Sequence, residues 1–124
     1  MQILKAVEGG VTIFTVTGVV SVEEIVKRAT EDLAAPQTRD AIWDFSLASS
    51  VKLSGAGMKR IVEDLTTHAA HVEGRKVALV GSGAIQVGLG KMFRAFAALA
   101  DLPHEYRVFR NRERADEWLS GGAD

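Results

Sequence analysis

The stretch from Trp43 to Met58 constrains this chain more than any other. An apolar run, Ala41-Ile42-Trp43-Asp44-Phe45, reads as a central β-strand with Asp44 as its one exception. The strand ends in an acid and a serine, Asp44 and Ser46, and runs through a short polar loop. It restarts at Ser54-Gly55-Ala56-Gly57 as a helix with apolar residues at Met58, Ile61, Val62, Leu65, Ala69 and Val72. Strand, loop and helix N-terminus in that order are the unit of an open α/β sheet. Ligands and partners of such sheets engage just beyond the carboxyl ends of the strands.

The flanking sequence fits the same plan. Ile3 to Val7 and Val11 to Thr17 alternate in polarity around Glu8-Gly9-Gly10, which predicts a β-hairpin whose glycines supply the positive φ of a tight turn. Ser21 with Glu24 predicts a capping box, and Val20 with Ile25 a hydrophobic staple, at the start of a helix that buries Val22, Ile25, Val26, Ala29 and Leu33 and ends before Pro36. After the Met58 helix, Gly74 is the expected stop. Val77 to Val80 is a short continuous apolar run, as in a strand covered on both faces. A third helix is marked by Ile85, Leu89, Met92, Phe93, Phe96 and Leu99. Tyr106 to Phe109 is a last strand, and Asn111 caps a closing helix that buries Ala115, Trp118 and Leu119. The order ββαβαβαβα implies an α/β fold with a mixed five-stranded sheet: antiparallel at the hairpin, parallel beyond it, helices on its faces. Residues 1–120 form one domain and 121–124 a loose tail.

Composition narrows the function classes. Hydrophobic residues at 47% and charged residues at 25% describe a globular chain, and fifteen basic against sixteen acidic side chains give a net charge of −1. No global field draws in nucleic acid. The absence of cysteine removes disulfides, thiolate metal sites and cysteine nucleophiles together. The opening residues lack the apolar core of a signal peptide and no run is long enough to span a bilayer, so the expectation is a cytoplasmic protein.

The element order, with a helix restarting at Ser54-Gly55 after the middle strand, resembles the STAS fold of bacterial anti-anti-sigma factors. Asp44 and Ser46 match an aspartate and serine that the family carries near the strand end. Lys52-Leu53-Ser54-Gly55-Ala56-Gly57 stands where the family has Asp-Ser-Ser-Gly-Leu-Gly, keeping one serine and two glycines and putting Lys52 in place of the acid. The second half is similar to the SpoIIAA-like proteins of the STAS/CRAL-TRIO-like group, through Arg75-Lys76-Val77-Ala78-Leu79-Val80-Gly81, Val108-Phe109-Arg110 and Ala115-Asp116-Glu117-Trp118-Leu119. The resemblance implies a regulatory, non-enzymatic protein-interaction module in which one serine of the second motif is phosphorylated by a partner kinase. Its CRAL-TRIO side implies the alternative of a carrier for a small apolar, lipid-like ligand.

Several groupings carry candidate chemistry. Asp44, Ser46, Lys52, Ser54, Gly55 and Gly57 form the candidate interaction or phosphorylation loop, because a helix N-terminus favours a negative group. Capping alone also explains a serine at position 54. Gly81-Ser82-Gly83 is a candidate anion or ligand turn. It fails both nucleotide patterns: a dinucleotide fingerprint needs glycine where Gln86 stands, and a phosphate loop ending at Gly90-Lys91 needs glycine at Ile85 and a hydroxyl at Met92. Gly88 and Gly90 each weaken the third helix by about 1 kcal/mol relative to alanine. His68 and His71, with Glu73, are too few for an expected metal site. No catalytic grouping and no cofactor motif is visible. Arg107, Arg110, Arg112 and Arg114 read as a solvated basic edge. The hairpin edge and the far side of the third helix, with Ala95, Ala98 and Leu102, predict a homodimer.

Overall fold

The computed structural model describes residues 1–51, 53–69 and 74–121. Strands β1 (Gln2–Glu8) and β2 (Val11–Val20) form the expected antiparallel hairpin. Gly9 and Gly10 have φ of 55° and 77°, the two positive values that a two-residue turn matched to strand twist requires. Helix α1 (Val22–Ala34) follows, then β3 (Asp40–Asp44), β4 (Ala48–Val51), α2 (Gly55–His68), β5 (Arg75–Val80), α3 (Ala84–Leu99), β6 (His104–Phe109) and α4 (Arg112–Leu119).

The sheet order is β1-β2-β3-β5-β6, with β1 antiparallel and the other pairings parallel. This is the expected mixed five-stranded path. The addition is β4, which lies inside the stretch read as a polar loop and pairs parallel with Gly18–Val20, past a register shift at Gly18/Val19. Ala48-Ser49-Ser50-Val51 carries no apolar alternation that would mark a strand. It is held by the free end of β2, which outruns its pairing with β3 at Thr15.

Period-two alternation divides the core between the two faces of the sheet. Phe14, Val16, Trp43, Val77, Leu79 and Tyr106 share one cluster with the apolar stripes of α1 and α2 and with Ala97 of α3. Ile13, Ile42, Ala78 and Val80 face the other way, against Ala115 and Trp118 of α4. The parallel strands advance in one direction without reversal. Crossovers of one handedness therefore put α1, α2 and α3 on the same face, leaving α4 to cover the other. Phe14 and Trp43, register partners across β2 and β3, stack with centroids 4.2 Å apart.

The staple residues Val20 and Ile25 are both buried in the larger cluster. Ser21 is the N-cap of α1 by backbone, but its side chain makes no cap bond, so the capping box does not form. Met58, Ile61, Val62, Leu65 and Ala69 are buried as the periodicity required, whereas Val72 lies outside the described residues. Gly74 has φ +70° and leads directly into β5; residues 70–73, between it and α2, are outside the description. Asn111 caps α4 by accepting from Arg114 N at 2.9 Å.

The third helix departs from its expected face. Val87 and Ala97 are its buried residues and Leu89, Phe93 and Phe96 are half-buried, while Ile85 and Leu99 are 74% and 82% exposed and Met92 is exposed with them. Gly90 sets this rotation, because a Cβ there would stand 3.1 Å from Val108 Cγ2. The glycine side of the helix is the side that approaches the sheet. Leu102, expected on the far side, is buried in the core, and Ala95 and Ala98 are exposed. Of the tail, residues 122–124 lie outside the description.

Candidate functional site

The loop after β3 is built by its own polar groups. Asp44 Oδ1 accepts from Ser46 N at 2.9 Å and from Ser46 Oγ at 2.6 Å, an Asx turn that gives one oxygen of the acid two local donors. Phe45 N donates to Val80 O, and Ala48 N to Phe45 O, so the turn is tied to β5 and hands the chain to β4. Ser54 is exposed, and its Oγ accepts from Gly57 N at 3.0 Å as the N-cap of α2. No hydrogen bond among the described residues joins Ser54 to Asp44 or Ser46, and Lys52 lies outside them.

The two glycines of this loop differ. A Cβ on Gly57 would lie 3.0 Å from Val22 Cγ2, so the residue lets α2 close onto α1. Beside that contact Arg60 donates both nitrogens of one fork to Glu23, at 2.6 and 2.9 Å. The hydrogen bond from Arg60, and then its charge, hold the Glu23 carboxyl below the ordinary carboxylate range. Around Gly55 the space for a Cβ is open and φ is ordinary, so no packing contact demands a glycine.

The turn Gly81-Ser82-Gly83 is largely closed on itself. Gly81 N donates to Phe109 O, and a Cβ on Gly81 would meet Gln86 Cβ at 2.7 Å. Ser82 N donates to Gln86 Oε1 at 2.8 Å. The residue that breaks the dinucleotide pattern thus occupies a donor an anion would use.

Both turns lie at the carboxyl end of the parallel strands. Because the strand order never reverses there, that end has no topological switch point and forms a surface rather than a crevice. Among the described residues, three large apolar side chains stand exposed on it: Val19 at the end of β2, Leu47 (65% exposed) in the Asp44 turn, and Ile85 at the start of α3. Sequence reading missed Val19 and Leu47 in this role, since a lone apolar residue in a loop carries no periodic signal.

A second feature lies beneath the helices. A half-open cavity of about 100 Å³ runs along β5 from Arg75 to Gly81, roofed by α1, α2 and α3. Its walls are almost wholly apolar, with Leu65, Val77, Leu79, Leu89 and Phe93 among them. At the Arg75 end stand Asp32, His104 and Tyr106. Arg75 Nη1 donates to Asp32 Oδ2 at 2.6 Å, with side chains only 4% and 3% exposed. Among the described residues, Arg75 Nε, Arg75 Nη2 and Asp32 Oδ1 are buried without hydrogen-bond partners, the last having Lys5 Nζ at 3.9 Å. Burial raises the Tyr106 hydroxyl pKa far above its ordinary range, against the opposing pull of the Arg75 charge. The sequence did hold one signal of this pair: Asp32 lies seven residues after Ile25, on the buried stripe of α1.

The remaining candidates are local. His68 Nδ1 bonds Asp64 O, its proposed companions His71 and Glu73 lie outside the described residues, and among the described residues no three metal-ligating side chains cluster. Arg107 lies over the Trp118 ring and pairs with Glu105, whereas Arg112 pairs with Asp116, so these two basic residues engage separate partners. No described helix is long and apolar enough to cross a membrane.

No protein-family model and no curated protein matches the chain in sequence. Solved structures do match its fold. The anti-sigma factor antagonist SpoIIAA in its unphosphorylated form superposes with a TM-score of 0.56 at 16% identity, covering 99% of this chain and 100% of its own. The Bacillus cell fate determinant SpoIIAA in its phosphorylated form gives a TM-score of 0.54 at 17% identity, covering 95% and 99%. The chain carries the SpoIIAA, STAS-like fold over nearly its whole length.

Proposed function

We propose that this chain is a non-enzymatic regulatory module that binds a protein partner through the carboxyl end of its sheet. The observation that carries the reading is the exposure of Val19, Leu47 and Ile85 at that end, beside an Asp44–Ser46 turn closed by two bonds to Asp44 Oδ1. Exposed apolar side chains among polar turns mark a protein-binding surface rather than a small-molecule crevice. The likeness to an anti-sigma factor antagonist supports the same class of function. It also supports a bacterial, cytoplasmic setting. Ser54 acts first as a helix cap, and its exposed hydroxyl is the group a kinase would reach.

The test is capture from host lysate on the immobilised chain. A Leu47→Asp, Ile85→Asp variant should lose the specific partner while Ser54→Ala retains it. Retention of the same partner by the double variant, or by variants at Asp44, Ser46, Lys52 and Ser54 together, would sink the reading. Phosphoproteomic detection of modified Ser54 in the host would add the kinase reaction.

The cavity along β5 favours a second reading, a carrier of a small apolar ligand. Native mass spectrometry of freshly purified protein separates the two: an adduct of lipid-like mass supports the carrier, a bare chain the module. The apolar stripe left exposed on α3 and the edge strand β1 support a homodimer in either case.

A further inference from the structure

We infer that the cavity along β5 binds a linear aliphatic carboxylate, with its headgroup on Arg75 and its tail toward Gly81; this rests on the carrier reading of the cavity and supplies the ligand's chemistry. Three observations converge. The first is the headgroup site. In a guanidinium, Nε and Nη2 form the side-on fork that matches the two oxygens of a carboxylate. Asp32 takes Nη1 and leaves that fork intact, buried and without an acceptor among the described residues. Buried donors in a folded protein ordinarily have partners, so an unfilled matched pair points to an absent acceptor.

The second observation is charge. Asp32 is shared between Arg75, inside the cavity, and Lys5, which lies outside it on a neighbouring open groove at 3.9 Å; a single carboxylate on Arg75 makes this cluster of two cations and one anion neutral. A neutral headgroup would accept from the fork but leave the excess charge. The third observation is shape. From Arg75 to Gly81 the cavity follows six residue steps of strand, about 20 Å at the usual rise. Its volume of about 100 Å³ is small for such a length, so the space is a slot. An extended alkyl chain suits a slot lined by Val77, Leu79 and Phe93. Gln86 and Phe45, half-buried at the far end, mark where a longer tail leaves toward the carboxyl-end surface.

The probes are octanoate, octanamide and octan-1-ol, titrated into the full chain by calorimetry and followed in parallel by tryptophan emission, since Trp43 lines the cavity. Octanoate should bind at least about tenfold more tightly than either neutral analogue, the ratio expected when a charge-assisted pair is replaced by a neutral bond. Arg75→Lys keeps the charge and the ion pair with Asp32 but removes the fork, and should erase that preference. The paired replacement Asp32→Leu, Arg75→Met removes the buried charges together and should bind octan-1-ol no worse than the parent. Circular dichroism on each variant establishes that it is folded before titration. Equal binding of all three probes, or an octanoate preference that survives Arg75→Lys, would overturn the headgroup assignment while leaving an apolar carrier. Binding of none of the probes would overturn both.

Discussion

Arg75 and Asp32 meet at 2.6 Å inside a largely apolar layer, joining the first residue of β5 to the last buried turn of α1. Lys76 N also donates to Asp40 Oδ1, so an acid from α1 and an acid from β3 hold the start of β5. Desolvating an ion pair costs several kcal/mol per charge, and the mutual attraction offsets it only when the remaining polar atoms are bonded. Here three of those atoms are not. The pair is therefore better understood as a device for placing a guanidinium than as a source of stability.

Removing one partner should destabilise far more than removing both. Asp32→Leu alone leaves a buried guanidinium and should cost about 3–5 kcal/mol, while adding Arg75→Met should recover most of that loss. Urea unfolding of the two single variants and the double variant measures it. A double variant no more stable than either single one would contradict the account.

The two helix glycines should respond in opposite ways to alanine. Gly88 has open space where a Cβ would go, so Gly88→Ala should stabilise by about 1 kcal/mol, the helix-propensity difference. At Gly90 the new methyl would sit 3.1 and 3.2 Å from the Val108 methyls, so Gly90→Ala should forfeit the gain and displace α3 outward. Thermal midpoints of the two variants decide it, and equal rises in both would mean that α3 approaches the sheet more loosely than described.

The same contrast explains what could be read from sequence alone. The hairpin, the four helices and the apolar strands announce themselves through period and turn chemistry, because those signals are local. The facing of α3 does not. Ile85, Met92 and Leu99 share a helical stripe as apolar as the one that packs, and only the close approach of Gly90 to Val108, a contact between distant parts of the chain, selects between them. β4 was illegible for a similar reason: its pairing depends on how far β2 extends. At the site, the Ser54 cap was visible in the residue type, and the Asp44–Ser46 turn in the acid and serine that end the strand. Arg75's open fork arises from side chains forty-three positions apart and leaves no mark in either neighbourhood.

Alkaline pH should expose the burial of Tyr106. The hydroxyl keeps its proton well above the ordinary value of 10.0 because the charged form would be desolvated among Phe93, His104 and the cavity wall. A raised folded value means that the unfolded chain loses its proton first. The tyrosine's contribution is complete below about pH 10 and declines as pH rises through that value toward the folded one. Tyr106 is the chain's single tyrosine, so tyrosinate absorbance reports on it alone. Ionisation should coincide with loss of near-ultraviolet circular dichroism, and Tyr106→Phe should move unfolding to higher pH. Titration near pH 10 with the fold intact would mean that the hydroxyl is open to water.

Self-association should run through α3 and strengthen with salt. Gly88, Met92, Ala95 and Leu99 fall at alternating intervals of four and three, the spacing of a helix seam, and all are exposed. The flanks of that seam carry Lys91 and Arg94, and no acid occurs anywhere in α3. In a two-fold dimer crossing near Met92, like charges of the two copies face each other and oppose the apolar contact. Raising ionic strength screens that repulsion while leaving apolar burial in place, so the dimer should tighten from low salt to high, the reverse of an association held by ion pairs. Light scattering at micromolar concentration should give twice the 13.3 kDa chain mass at high salt, with a growing monomer fraction at low salt. Met92→Lys with Leu99→Lys should return the monomer at both, since those side chains already face solvent and their replacement leaves the core untouched. A mass near 13.3 kDa for the parent chain at both salt concentrations would refute the dimer, and weakening with salt would move its interface away from α3.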